Sequence, residues 1–199
     1  MPLSSLKVLE LNEFLKGQGK LPLVEDLCER ELNNPEGIEL ELRVGRVEKI
    51  VSGSFLGVKD RNSPETELIG DIKTDGNKKI LMRSGDYFLV ETIEKINCPA
   101  EKVKYDENFL EGYLMPNIFP RTSLQRSGIS LHCSTTNPKY SGPLVFGLKN
   151  NSEYDFSFEL GTRMFKLIFE PVIGEIGRAY SGQHQGGRIT SQGKVEEQN

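Results

Sequence analysis

The chain is predicted to be mainly β, a barrel or sandwich of short strands behind a helical N-terminal preface. Three observations predict it. Apolar residues alternate with polar ones from residue 38 onward, as in Ile38, Leu40, Leu42 and Val44 against Glu39, Glu41 and Arg43. Turn signals recur every ten or so residues, at Ser84-Gly85-Asp86, Asn150-Asn151-Ser152 and Gly161-Thr162. Helical spacing is confined to the first 35 residues, and the 199-residue length suits one domain with a proper core.

Taken in order, Leu6, Leu9, Leu11, Phe14 and Leu15 recur near helical spacing. Leu23, Leu27 and Cys28 follow after an interruption between Gly17 and Pro22, so two short helices are expected before Asn33, Asn34, Pro35 and Gly37 end them. Strands are expected at 38–44, 46–51, 78–83 and 87–93, with 57–77 as a polar loop. Further strands fall at 129–134, 143–149 and 154–160, then around Phe165, Leu167 and Phe169. Residues 99–118, with Tyr105, Phe109, Tyr113 and Met115, read as a surface insertion. Residues 178–199 lack aliphatic periodicity and read either as a frayed polar terminus or as a mobile lid.

Composition narrows the function classes. A net charge of −4 argues against a nucleic-acid partner, which needs a basic face to displace counterions. No apolar run approaches the roughly 20 residues of a membrane span, and no basic-then-apolar leader opens the chain, so a cytoplasmic protein is expected. Three widely spaced cysteines without a CxxC, and two histidines, point to small buried thiols and to no metal held by protein ligands.

Two motifs carry chemistry. PRTSLQRSG, at 120–128, packs two arginines, three hydroxyls and a glycine into nine residues. Arg121 and Arg126 offer forked donors to phosphate oxygens, and Thr122 and Ser123 add hydroxyl and N–H donors if they open a helical turn. The plainer reading is a capped surface turn with solvated arginines. YSGQHQGG, at 180–187, is glycine-punctuated, so its backbone can approach a ligand closely while Gln183, His184 and Gln185 hydrogen-bond it. In TTNPKYSG, at 135–142, Tyr140 either lies flat beneath a sugar or packs at a barrel rim. Glu39 with Glu41, and Glu91 with Glu94, are the nearest candidates for acid/base work, Glu91 or Glu94 for a deaminase above all, while the plainer reading puts each on a solvated strand face.

These blocks resemble the dCTP deaminase/dUTPase superfamily, closest to the deaminase branch. GIELELRVG at 37–45 is similar to its early strand, with Glu41 where an aspartate is usual. PRTSLQRSG resembles R-S-S-L-x-R-x-G, keeping Arg121, Ser123, Arg126 and Gly128, with Thr122 for the first serine. NPKYSG at 137–142 resembles D-x-G-[WYF]-x-G, and YSGQHQGG resembles Y-x-G-K-Y-Q-G-Q, keeping Tyr180, Gly182, Gln185 and Gly186.

The resemblance implies a distorted, dUTPase-like β-barrel of the β-clip type and a homotrimer with active sites between subunits. It implies a deoxypyrimidine triphosphate held by Arg121, Thr122, Ser123, Arg126, Asn137, Tyr140, Tyr180, Gln183, Gln185 and Gly186, with Mg²⁺ carried by the triphosphate. The expected activity is deamination of dCTP; alternatives are cleavage of dUTP to dUMP and diphosphate, or a nucleotide-binding homologue without turnover. The departures fall on the catalytic positions. Asn137 stands for the aspartate that activates water in the diphosphatases, and Gly147 for the glutamate that moves protons in the deaminases.

Overall fold

The computed structural model describes residues 1–106 and 110–197. After α1 (Ser5–Gly17) come β1 (Val24–Glu25), α2 (Glu29–Asn33) and the long strand β2 (Leu40–Ile50). Short strands β3 (Phe55–Leu56), β4 (Asp60–Asn62) and β5 (Thr66–Asp71) lead to α3 (Ile72–Asp75) and β6 (Lys79–Met82). Then follow β7 (Tyr87–Asn97), β8 (Val103–Lys104), β9 (Glu111–Pro120), α4 (Thr122–Arg126) and β10 (Ile129–His132). The chain finishes with β11 (Ser141–Asn150), β12 (Phe156–Glu159), β13 (Arg163–Val172) and β14 (Glu196–Glu197).

The fold is mainly β, 43% strand and 14% helix, built on a curled half-barrel sheet. Its path runs β10-β11-β7-β2-β13-β9-β8, with β1 added to β7 and β5 to β2. Strand β2 lies centrally because Leu40, Leu42, Val44 and Val47 are all buried, and β7 pairs beside it through Val44↔Thr92 and Val47↔Val90. The concave side holds one core that includes Phe88, Val90, Phe146, Leu148, Phe165 and Phe169. Phe146 and Phe165 meet with ring centroids 4.8 Å apart.

Helix α1 is capped by Ser4, whose side chain accepts from the Lys7 N–H at 3.2 Å. It closes the core with Val8, Leu11 and Leu15, while Leu6 and Phe14 face outward. Asn12 reaches from the helix to β1, its Nδ2 donating to the Val24 carbonyl and its Oδ1 accepting the Val24 N–H, each at 3.2 Å. This pairing is why the start of the second expected helix is replaced: Val24 and Glu25 are extended against β7, and only Glu29–Asn33 is helical.

Three other expectations are corrected. The polar loop 57–77 contains β4, β5 and α3, because β5 edges β2 from Arg46↔Asp71 to Ile50↔Thr66. The second half of residues 99–118 is not a surface connection: β9 pairs with β13 over eight residues, from Phe165↔Pro120 to Val172↔Tyr113, and buries Leu114 completely. Pro116 and Pro120 masked this strand in the sequence; Phe109 lies outside the described residues. Among the cysteines only Cys98 is buried, where desolvation pushes its thiol up to about 12, while Cys133 is exposed. No helix among the described residues is long and apolar enough to cross a membrane.

If β9 is a core strand, Leu114→Ala should cost about 2–5 kcal/mol in urea unfolding with an unchanged m-value. A loss below about 0.5 kcal/mol would return residues 110–118 to the surface.

Candidate functional site

The site is organised beneath α4. Arg121 is its N-cap residue, in extended backbone after Pro120, and Leu124 anchors the short helix in the core. Gly128, at φ +74°, ends it. Thr122, Ser123 and Arg126 are exposed, and Arg126 makes no hydrogen bond or ion pair among the described residues. The helical turn inferred from the motif is therefore present.

Arg121 is not a free fork. Its Nε sits 2.7 Å from Oε1 of Glu41, and its Nη1 donates to the Arg163 carbonyl at 3.2 Å. Glu41 was expected on a solvated face but is buried, because Arg163 Nη1 approaches its Oε2 at 2.7 Å and Arg30 stands 3.7 Å away. Glu31, also buried, meets Arg30 and Arg163 and accepts the Glu41 N–H at 3.1 Å. Three guanidinium groups thus surround two buried carboxylates, and Arg30 also meets the exposed Glu36 at 3.2 Å, so the cluster carries no formal surplus of charge. A cavity of about 410 Å³ opens over this cluster, with Lys79, Arg121, Ser123 and Arg163 in its wall, and Glu159 beside them. Sequence reasoning missed Glu31 and Arg163; Glu31 sits in the polar run ERELNN at 29–34, and nothing local marks either as buried or paired.

The second half lies at the opposite end of β11. Asn137 accepts the Tyr140 N–H at 3.2 Å, closing a turn in which Lys139 takes φ +75°, a conformation that favours glycine. Tyr140 is buried, its hydroxyl bonded to the Pro143 carbonyl and held well above the usual phenol range by desolvation. The tail is neither frayed nor separate. Tyr180 N–H donates to the Pro138 carbonyl at 3.0 Å, Gln185 Nε2 to Lys139 at 3.0 Å, and Gly186 N–H to Ser141 at 3.0 Å. A Cβ on Gly142 would stand 2.7 Å from the Gly186 Cα, so the glycines permit this close approach. Tyr140 and Tyr180 pack at 5.9 Å, and with Asn137, His184 and Arg188 they enclose another cavity of about 410 Å³. Gln183 Oε1 is buried without a hydrogen-bond partner in the described residues, beside a neighbouring cavity of about 680 Å³.

Farther on, Ser191 exchanges hydrogen bonds with Ser63 at 2.6–3.0 Å, and Glu196 and Glu197 pair with Arg61 and Asp60. The structure therefore brings together Arg121 and Ser123 in one cavity, with Thr122 and Arg126 beside them on α4. It brings together Asn137, Tyr140 and Tyr180 in another, and no cavity described here contains both sets.

Gly147 lies on the convex side of β11, opposite Leu89 of β7 and His132 of β10. A Cβ there would overlap the Tyr87 hydroxyl and stand 2.5 Å from its Cζ. Tyr87 leans across the glycine, 5.7 Å from the His132 ring, and burial raises its phenol above the ordinary value. Nothing in the local sequence links residues 87 and 147; only strand register does. The remaining carboxylate pair separates as well. Glu94 is fully buried and bound to Arg43 Nε at 2.7 Å and Arg43 N–H at 2.8 Å, whereas Glu91 is half-buried without such a partner among the described residues.

A family model described as dCTP deaminase-like matches residues 24–172. The chain belongs to the dCTP deaminase-like family. Among its curated relatives, a probable deoxyuridine 5'-triphosphate nucleotidohydrolase of Methanothermobacter thermautotrophicus is 29% identical over 78% of this chain and 89% of its own length. A dCTP deaminase of Pyrococcus horikoshii is 27% identical over 82% and 85%. The crystal structure of 2'-deoxycytidine 5'-triphosphate deaminase from Agrobacterium tumefaciens shares the fold with a TM-score of 0.57 at 16% identity. That match covers 86% of this chain, which spans 48% of the Agrobacterium chain.

Two outcomes test the local geometry. Glu41→Gln should destabilise the protein by about 3–5 kcal/mol, because two guanidinium groups lose a buried counter-charge; a neutral result in chemical denaturation would show that the cluster is solvated. Gly147→Ala should cost about 1–3 kcal/mol, and much less in a Tyr87→Ala background. Equal costs in both backgrounds would disconnect the two positions.

Proposed function

We propose that this protein binds deoxypyrimidine nucleoside triphosphates and deaminates dCTP to dUTP with release of ammonia. One observation carries the reading: α4 presents Arg126 and two hydroxyl side chains outward on a base of half-buried arginines paired to buried carboxylates, inside a family of this chemistry. Arg126 grips phosphate oxygens, while Arg121 and Arg163 add field from below. Asn137, Tyr140, Tyr180 and the amides of Gln183 and Gln185 take the sugar and base.

The assignment of the two sets to different cavities supports a homotrimer, in which α4 of one copy faces the turn and tail of another. Mg²⁺ enters on the triphosphate. The donors that α4 offers are guanidinium, hydroxyl and N–H groups, which suit the phosphate rather than the cation, and no cluster of three or more metal-ligating side chains occurs among the described residues. Bound there, Mg²⁺ would neutralise phosphate charge. The protein is proposed to work in the cytoplasm.

A second reading, cleavage of dUTP to dUMP and diphosphate, is favoured by the names of two relatives, the Methanothermobacter one at 29% identity and a probable deoxyuridine 5'-triphosphate nucleotidohydrolase of Aeropyrum pernix at 27%. Against it, the Asn137 amide has no basic lone pair with which to take a proton from water.

Incubation of the purified protein with Mg²⁺ and either dCTP or dUTP, followed by chromatography, distinguishes the readings. dUTP with ammonia is the expected product, dUMP selects the second reading, and unchanged nucleotide selects binding without turnover. At 100 times its dissociation constant, dCTP should stabilise the protein by about 2.7 kcal/mol. Arg126→Ala should abolish that gain with the basal melting temperature unchanged; undiminished stabilisation would remove α4 from the pocket.

A further inference from the structure

The deaminase reading needs a carboxylate to move protons, and position 147 supplies none. The convex side of the β7–β11 pair offers another. Leu89 pairs with Gly147, and Glu91 pairs with Val145, one step along on the same side. Across an antiparallel pair such diagonal neighbours lie about 7–8 Å apart, within reach of a long side chain. Val145 itself lines the cavity that contains Asn137, Tyr140 and Tyr180. The register breaks between Pro143 and Val145, where Leu144 N–H turns to the Thr92 hydroxyl at 2.9 Å, so a bulge opens the ladder beside Glu91.

The other acids buried in this sheet are consumed. Glu94 is bound by Arg43, Glu48 by Arg46 and Thr66, and Glu41 by Arg121 and Arg163. Glu91 has neither hydrogen bond nor ion pair among the described residues. Its charge is felt at the Tyr140 hydroxyl on the cavity wall.

We infer that Glu91 is the proton carrier of the deamination, replacing the side chain absent at position 147; the inference rests on the deaminase reading above. Its carboxylate takes a proton from water as the water oxygen bonds to C4 of cytosine, and the C4–N3 π pair moves to N3, which receives that proton. The carboxyl group then takes the proton of the new hydroxyl and delivers it to the amino group. The C4–N bond breaks, ammonia leaves, C4=O forms, and Glu91 returns to its starting state.

Burial is the largest influence on Glu91 and raises its carboxyl above the ordinary value, towards the range useful for moving protons at neutral pH. Arg46 and Lys73 oppose that rise, while Asp71 and Glu48 add to it. A carboxyl raised in the folded state favours folding at low pH, and that contribution is lost as pH climbs through the folded value. Ionised Glu91 therefore burdens the fold at neutral pH.

The test uses the full chain with dCTP and Mg²⁺, reading dUTP and ammonia from acid to alkaline pH. Glu91→Gln should lower kcat at least ~100-fold. It should keep the dCTP-induced rise in melting temperature and should melt higher than wild type at pH 7 but not near pH 4. Glu91→Asp should retain a reduced rate and an acidic limb in its pH profile. Wild-type kcat in Glu91→Gln would overturn the inference and leave the deaminase reading standing. Wild-type protein that forms no dUTP would overturn that reading and the inference with it. Should Glu91→Gln fail to fold, the acidic limb decides: its persistence in Glu91→Asp supports the assignment, and an unaltered rate there overturns it.

Discussion

Two carboxylates buried under α4 govern the geometry of this protein. Glu31 and Glu41 lie among apolar strands, where an unpaired charge costs several kcal/mol, and they are tolerated because Arg30, Arg121 and Arg163 converge on them. The cluster joins α2, β2, the α4 cap and β13, elements from four separate parts of the sequence. Replacing it with hydrocarbon would not necessarily weaken the fold. What the charges supply is placement: Arg121 is held by its Nε and Nη1, so the helix it caps presents Ser123 and Arg126 in a fixed direction.

The strands that alternate cleanly were legible before any coordinates, because period-two burial is a local property. The strands expected at 38–44 and 46–51 are one strand, Leu40–Ile50, and those at 87–93 and 143–149 lie within the longer Tyr87–Asn97 and Ser141–Asn150. Strand β9 was not legible, since Pro116 and Pro120 break the pattern and the pairing that rescues it comes from β13, some fifty residues away. Val24 and Glu25 fall inside a stretch of helical spacing but are recruited as a strand by Asn12 and β7. In each case a partner distant in sequence overrides the local preference.

The site divides the same way. The turn of PRTSLQRSG and the glycine-hinged tail could be read as motifs, because each is written in consecutive residues. The reassignment of Arg121 from phosphate fork to ion-pair member could not, since it depends on Glu41 being buried. Nor could the fixing of the tail, where Ser63 and Ser191 meet across 128 residues of chain. Tyr87 was invisible for the same reason: its relation to Gly147 exists only once β7 and β11 are aligned.

That aromatic ring also limits what position 147 can carry. With Tyr87 seated over Gly147, an incoming side chain must displace the phenol, because its Cβ would overlap the hydroxyl. Displacing the ring disturbs its contact with His132. Strands β7 and β11 are therefore coupled here, and a replacement on one is answered by movement on the other.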